Sequence, residues 1–458
     1  MRLRFVTVGA TISVVSIIAM PASSWAGSRS SAIAEGSGEA NGTSWEPAAS
    51  ADGRYVAFVS DASNLLGDDT ANDTNGADDV FLADTVEGTI RLVSRDPVSA
   101  DQANGASAHP DISSDGRYVV FDTAATNLVP ADANGEISDV VRFDATDGSL
   151  TLVSRRGVAG AQGNGDSFAP SISKTGGSVS FISQATNLIS NDTNGKADAY
   201  VRDVDAGSTT RVSTDSSGKQ ANNATYAAVV APGAGWVAFS SIASNLVSGD
   251  TNHDRDVFEK NLGTGKTIRS SVRSDGRQGN GSSALEDISS NGRYVVLNSF
   301  ASNLVKNDGN NQGDVFVRDR VDATTIRVSK RGSVEANDDS FGASVSDDGA
   351  YVVFGSRASN LGTDADGNGS ATDVFEYTLA TKALVRLTAN GVGGWVDGGS
   401  YDASATPDGT GVVFASAATD LVDGDLNGWD DVFLRTWSDE ARTSWSVDRL
   451  SVPSPGPG

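Results

Sequence analysis

Apolar residues in this chain come in short clusters separated by long polar stretches. The run Tyr118-Val119-Val120-Phe121 is typical, and its relatives end at Phe58, Phe181, Phe239, Leu297, Phe354 and Phe414. Such a run is continuously apolar, where a strand in a one-sided sheet would alternate, so both of its faces should be covered. Around it lie three weaker β-type segments. In this second unit the four segments are residues 110–113, 117–122, 139–144 and 149–154, with a Ser-Asp-Gly hairpin turn at 114–116.

Three further marks repeat in step with the apolar run. Asn127-Leu128-Val129 recurs from Asn64, Asn187, Asn245, Asn303, Asn360 and Asp420. Asp314-Val315-Phe316 and Arg327-Val328-Ser329 recur likewise, giving seven units of about sixty residues. Four short strands per unit, with the second covered on both faces, predict an all-β fold: a seven-bladed β-propeller of four-stranded antiparallel blades. The propeller is expected over residues 27–452. The seventh unit carries its own outer strand, so the ring should close by packing of blade seven on blade one, without shared strands.

The hairpin Pro110-Asp111-Ile112-Ser113-Ser114-Asp115-Gly116-Arg117 resembles the Pro-x-x-Ser-x-Asp-Gly-Lys/Arg turn of TolB-like, WD40-like (PD40) propeller repeats. The resemblance runs through all seven units. Lys174-Thr175-Gly176-Gly177 and Pro232-Gly233-Ala234-Gly235 depart from it by lacking the hairpin Asp. It implies the propeller fold, and for function only a range: protein-binding scaffold, peptidase gate or lyase.

Composition changes the picture at one point. Ten of the 59 acidic side chains are Glu, leaving 49 Asp, against 34 Lys plus Arg. Asp suits turns and oxygen-ligand loops better than helices. The formal charge of −25 argues against a nucleic-acid partner, and two His with no Cys leave little for zinc, haem or thiol chemistry. At the N-terminus, Arg2 and Arg4 precede an apolar stretch over 5–20 and the small-residue pattern Ser24-Trp25-Ala26. This reads as a signal peptide over residues 1–26, cleaved after Ala26, of a secreted monomer with no membrane span afterwards. The Pro/Gly tail at 453–458 reads as disordered.

The surplus Asp concentrates between the second and third strands of each unit. Seven loops read Asp-x-Asn…Asp: Asp73/Asn75/Asp79, Asp132/Asn134/Asp139, Asp192/Asn194/Asp198, Asp250/Asn252/Asp256, Asp308/Asn310/Asp314, Asp366/Asn368/Asp373 and Asp425/Asn427/Asp431. A single copy is most simply an Asx-turn. A turn needs no second carboxylate, however, and two carboxylates held together repel unless a cation offsets them. All seven loops keep the terminal Asp, which favours calcium, up to seven ions, weakly held. The Asn-Leu-Val position, Asn in six units and Asp420 in the last, demands an acceptor for a turn N–H or for that metal.

Loops between units carry a second ring. There Trp45, Phe168, Tyr226, Phe341 and Tyr401 follow Asn/Ser-rich turns on the same face as the acidic loops. They read either as packing between blades or as platforms for a glycan or peptide ligand. His109, just ahead of the second unit's first strand, and His253 lie in different units, and there is no Gly-x-Ser-x-Gly elbow. The sequence therefore reads as a non-enzymatic binding or scaffold module for a protein, envelope or glycan ligand. The alternative is an extracellular carbohydrate-active enzyme, a metal-dependent lyase or glycosidase, working at the channel mouth.

Overall fold

The computed structural model describes residues 28–29, 38–66, 74–129, 132–158, 160–363, 366–389, 393–439 and 442–453. The expected signal peptide and most of the expected tail lie outside them. Among the described residues there is no helix. The strands form seven four-stranded antiparallel meanders, each built from consecutive strands, so the seven-bladed propeller stands. Blade two runs Ser107–Ile112, Tyr118–Thr123, Asp139–Asp144 and Leu150–Leu152. The first strand thus begins three residues earlier than its sequence pattern indicated, and His109 lies inside it. Each first strand carries a register shift against its neighbour, a bulge that absorbs one extra residue.

The second strands are the heart of each blade. Val119, Val120 and Phe121 are fully buried, as are Val56, Phe58 and Phe81 of blade one. Aromatic pairs link second and third strands within blades, Phe58 with Phe81 at 5.8 Å and Phe239 with Phe258 at 5.6 Å between centroids. The sheets stack around the axis with the apolar faces of neighbours in contact. Val413, Val432 and Leu434 of blade seven share one core with Val56, Phe58 and Phe81 of blade one.

Two rings of backbone hydrogen bonds join the blades. On the loop face, the N–H that opens each first strand donates to the residue ahead of the preceding blade's third strand: Ser107 to Asp78, Ser167 to Ser138, Thr225 to Ala197, Ser283 to Arg255, Ser340 to Gly313 and Ser400 to Thr372. Ser44 to Asp430, at 2.7 Å, closes the circle. At the opposite end, Ala51 donates to Ser114, Ser114 to Lys174 and Lys174 to Pro232. Gly233 then donates to Ser290, Ser290 to Asp347 and Asp347 to Pro407, and Asp408 returns to Ala51. Both prolines lack an N–H, so the following residue donates in their place. A two-residue strand, Ser28–Arg29, also pairs in parallel with Ser446–Val447 on the outer edge of blade seven, an addition to the expected closure.

The hairpin glycines serve the same stacking. A Cβ on Gly116 would lie 2.2 Å from the Tyr55 ring of blade one, and Gly176 stands likewise under Tyr118. Blade four has Ala234 at this station, also with φ of 55°. The preceding blade there offers Ser178 in place of an aromatic ring, which leaves room for the methyl group.

Candidate functional site

The acidic loops are assembled from their third-strand ends outward. The terminal Asp opens the third strand in every blade and is buried. One of its oxygens accepts the hydroxyl two residues beyond the fourth strand, as in Ser213 to Asp198 (2.6 Å), Thr388 to Asp373 (2.9 Å) and five counterparts. In five blades the loop Asn turns its NH2 group toward the other oxygen of the same carboxylate, 3.0 Å in Asn75–Asp79, Asn134–Asp139 and Asn194–Asp198, and 3.1 Å in Asn310–Asp314 and Asn427–Asp431. In blades one, three, four, five and seven the Asn oxygen accepts the N–H two residues on, as an Asx-turn does.

Two of the Asn expected as equivalent ligands depart from this pattern. In blade four, Gln278 Nε2 occupies the Asp256 oxygen at 2.9 Å and also reaches Asp250 at 2.9 Å. Asn252 keeps the contacts its counterparts make, its NH2 to the Gly279 carbonyl at 3.2 Å and its oxygen to the Asp254 N–H at 3.1 Å, but has no hydrogen bond to Asp256. In blade six, Asn368 meets Asp373 at 3.4 Å, on the oxygen that already accepts Thr388. Asp366 Oδ1 there accepts the backbone N–H groups of Asn368 and Gly369, both at 3.1 Å, so the turn is made by the first Asp. Asn368 Oδ1 is thereby buried without a hydrogen-bond donor among the described residues. Neither Asn252 nor Asn368 repeats the Asn geometry of the other five loops, so the seven stations are not seven copies of one site.

In four blades the first Asp of the pair meets a group that the sequence reading missed. In blade three, Arg211 Nη1 lies 3.3 Å from Asp192 and 3.3 Å from Asp198. Arg269 bridges Asp250 and Asp256 at 3.5 and 3.2 Å, Arg327 bridges Asp308 and Asp314 at 3.3 and 3.0 Å, and Arg449 bridges Asp425 and Asp431 at 3.0 and 3.4 Å. In these four blades a guanidinium supplies the positive charge that the sequence reading assigned to a metal. Blade six has Arg386 at the same station, stacked 3.6 Å from the Trp395 ring centre, with Asp366 and Asp373 in its loop. Burial nevertheless pushes Asp308 and Asp425 up to about 6 and Asp373 up to about 7. Glu39, Asp425 and Asp431 have carboxylate oxygens within 4.8 Å of one another, with Arg449 among them.

Blades one and two have Leu92 and Leu152 where the others have Arg. Asp73 lies outside the described residues, so blade two shows the unbridged arrangement. There the Gln162 amide nitrogen is 3.0 Å from Asp132 Oδ1 and 2.9 Å from Asn134 Oδ1, and makes a closer contact with Asp139 Oδ2. An NH2 group has two hydrogens and cannot satisfy three oxygens. Turned over, the same amide would add its own oxygen to the three.

The Asn-Leu-Val side chain is a clasp between loops. Asn64 Oδ1 accepts the Asn41 N–H at 3.1 Å while its NH2 donates to the Glu39 carbonyl at 2.8 Å. The acceptor half recurs in all seven units, ending with Asp397 N–H to Asp420 at 3.0 Å. Asp is tolerated at 420 because the acceptor half survives.

The five aromatics share a station but not a role. Phe168 packs against the core between blades three and four. The Tyr401 hydroxyl donates to Asp430. Trp45 is half-buried. Tyr226 and Phe341 carry Arg255 and Arg357 over their rings at 5.6 and 5.4 Å. Phe300 and Trp429, exposed on the same face at 59% and 49%, were not singled out by the sequence, since neither sits at the repeated aromatic station. His253 lies exposed in its acidic loop.

His109 occupies the blade-two bulge with φ of 52°. Its Nδ1 is 2.8 Å from Asp122, its backbone N–H donates to Glu46, and these acids raise the imidazole to about 9. Deeper in the channel, Asp111 and Asp287 each accept a backbone N–H of the next blade, from Ile172 and Val345, both at 2.8 Å. Desolvation holds Asp287 up at about 7. About 100 Å³ is open to water among these residues, and Lys174 and Asp347 meet across the far end at 3.5 Å.

No protein-family model and no curated protein matches the sequence. Solved structures do match. The β-propeller domain of the Trilobed protease from Pyrococcus furiosus aligns at 9% identity over 89% of this chain and 97% of that one, with a TM-score of 0.51. A prolyl endopeptidase aligns at 11% over 86% of this chain and 48% of that one (TM-score 0.51). Oligogalacturonate lyase in complex with manganese aligns at 13% over 88% and 92% (TM-score 0.50). At these identities the likeness establishes one thing, the β-propeller fold.

Proposed function

We propose that the protein is a secreted, non-enzymatic binding module whose loop face engages a glycan or protein ligand. The observation that carries this reading is the mouth of the channel. The rings of Tyr226, Phe300 and Trp429 are exposed there, and Arg255 and Arg357 lie over Tyr226 and Phe341, on a frame locked by two closed circles of backbone bonds. The repeated acids are tied into structure instead: each terminal Asp is committed to a hydroxyl of its own blade and to a side-chain amide, and four of the pairs are bridged by Arg. A glycosidase or lyase needs unlike groups convergent on one bond, whereas these carboxylates are spread around the ring at corresponding stations.

Calcium belongs to the reading at one loop above all. The three oxygens of Asp132, Asn134 and Asp139, with the Gln162 amide, form a hard-ligand set that no guanidinium fills. Affinity on the order of 10⁻⁴–10⁻³ M is expected for so small a set. Two measurements test the reading. Calorimetric titration of calcium into chelator-treated protein should give a site that Asp132→Asn abolishes; a flat titration removes the metal. Affinity electrophoresis against a polysaccharide panel, with product analysis of the same samples, should show retardation without new chain ends. New ends would establish the carbohydrate-active alternative.

A further inference from the structure

The channel mouth is chemically lopsided. Around blades four to six, aromatic rings and guanidiniums follow one another along an arc. Arg255 stacks over Tyr226 at 5.6 Å, and its carbonyl accepts the Ser283 N–H at the junction of blades four and five. Phe300 leaves blade five's second strand, and its ring edge reaches Gly313, where a Cβ would be 3.2 Å away. The Gly313 carbonyl accepts the N–H of Ser340, the neighbour of Phe341, and Arg357 covers Phe341 at 5.4 Å. Tyr226 is 46% exposed and Phe300 59%.

Neither guanidinium forms an ion pair among the described residues, in a chain with 59 acids and 34 Lys plus Arg. Glu286, in the first strand of blade five, feels the charge of Arg255. Its carboxyl is desolvated, accepts the Ala343 N–H and is held up at about 7. Across the mouth, blades seven and one present Glu46, Asp402 and Asp430, and Asp402 is raised by burial and by the charges of the other two. That side repels anions.

We infer that the arc from Tyr226 to Arg357 binds an anionic polysaccharide whose sugar rings carry carboxylates, one unit's apolar face lying on Phe300 and carboxylates meeting Arg255 and Arg357. This deepens the binding-module reading and rests on it. A sugar ring offers a flat C–H face to an aromatic ring, and a carboxylate matches the guanidinium fork. An acidic peptide supplies the charge but no flat ring. A neutral glycan supplies the ring but leaves both guanidiniums unpaired.

Binding is measured by titration with alginate, dextran and poly-glutamate at low salt. Alginate should bind, and dextran and poly-glutamate should bind at least about tenfold more weakly. Arg357→Ala and Phe300→Ala should each weaken alginate by about tenfold or more, as loss of a charge-assisted contact or a stacked ring does. Trp429→Ala, an exposed ring away from the arc, should bind like the wild type, and unchanged melting temperatures of the variants exclude unfolding. Poly-glutamate binding as tightly as alginate, or alginate binding that survives both arc substitutions, overturns the inference and leaves the binding module standing. No binding to any of the three overturns the inference; retention of another glycan in the electrophoretic panel would then separate its failure from failure of the module reading.

Discussion

Arg327 Nη1 lies 3.0 Å from Asp314 Oδ2, with both side chains almost wholly buried. The same guanidinium reaches Asp308 at 3.3 Å and Glu335 at 2.8 Å. Removing one partner of such a buried cluster strands the others without compensation. Arg327→Leu, which gives blade five the residue of blade two, should cost about 3–5 kcal/mol of stability in the absence of metal. Chemical denaturation in the presence of a chelator measures this. Millimolar calcium should then restore more stability to the variant than it adds to the wild type. A loss below about 1 kcal/mol would mean that the bridge is not what holds the loop.

The converse exchange is Leu152→Arg in blade two. A guanidinium there should lie between Asp132 and Asp139 as its counterparts do, and the calcium response of the melting temperature should shrink or vanish. If the response is unchanged, calcium binds elsewhere.

The Tyr55–Gly116 contact predicts a coupled pair. Gly116→Ala alone should destabilise by about 2 kcal/mol or more, from the clash and the left-handed backbone. Tyr55→Ser with Gly116→Ala recreates the Ser178/Ala234 combination already present between blades three and four. The double variant should recover part of the loss, and a double-mutant cycle reads the coupling directly.

His109 makes stability depend on pH. Its folded value, about 9, lies above its ordinary 6.5, because Asp122 and Glu46 stabilise the imidazolium. Its contribution is therefore fully present below about pH 6.5 and is lost as pH rises through about 9. The ring is 48% exposed, so solvent screening reduces the effect to about 1–2 kcal/mol. His109→Asn should separate from the wild type in melting temperature at pH 6 and converge with it at pH 10.

The repeat was legible because apolar runs and Asn-Leu-Val marks report burial and turn geometry locally. Strand number, blade number and the loop face all follow from them. The charge balance was not legible, although Arg211, Arg269, Arg327, Arg386 and Arg449 stand at one station of the repeat, two residues before the closing Ser or Thr. The contact joins a fourth-strand side chain to a loop thirteen to twenty-four residues earlier, and nothing in either segment alone shows that they face each other. The Gln/Glu ring at Glu39, Gln102, Gln162, Gln220, Gln278 and Glu335 was hidden for the same reason, and with it the amides of Gln102, Gln162 and Gln278 that reach the terminal Asp. The aromatic station shows the opposite limit: one position in a repeat guaranteed one place in the blade but not one environment.

The Ser44–Asp430 bond has a consequence for how the ring is threaded. The junction of blades seven and one carries the same bond as the other six, so no joint is singled out as the seam. Ser28–Arg29 already runs beside Ser446–Val447. A linker joining that strand to the end of blade seven, with the chain reopened in any of the six remaining inter-blade loops, should therefore give circular permutants with the parent's architecture and cooperativity.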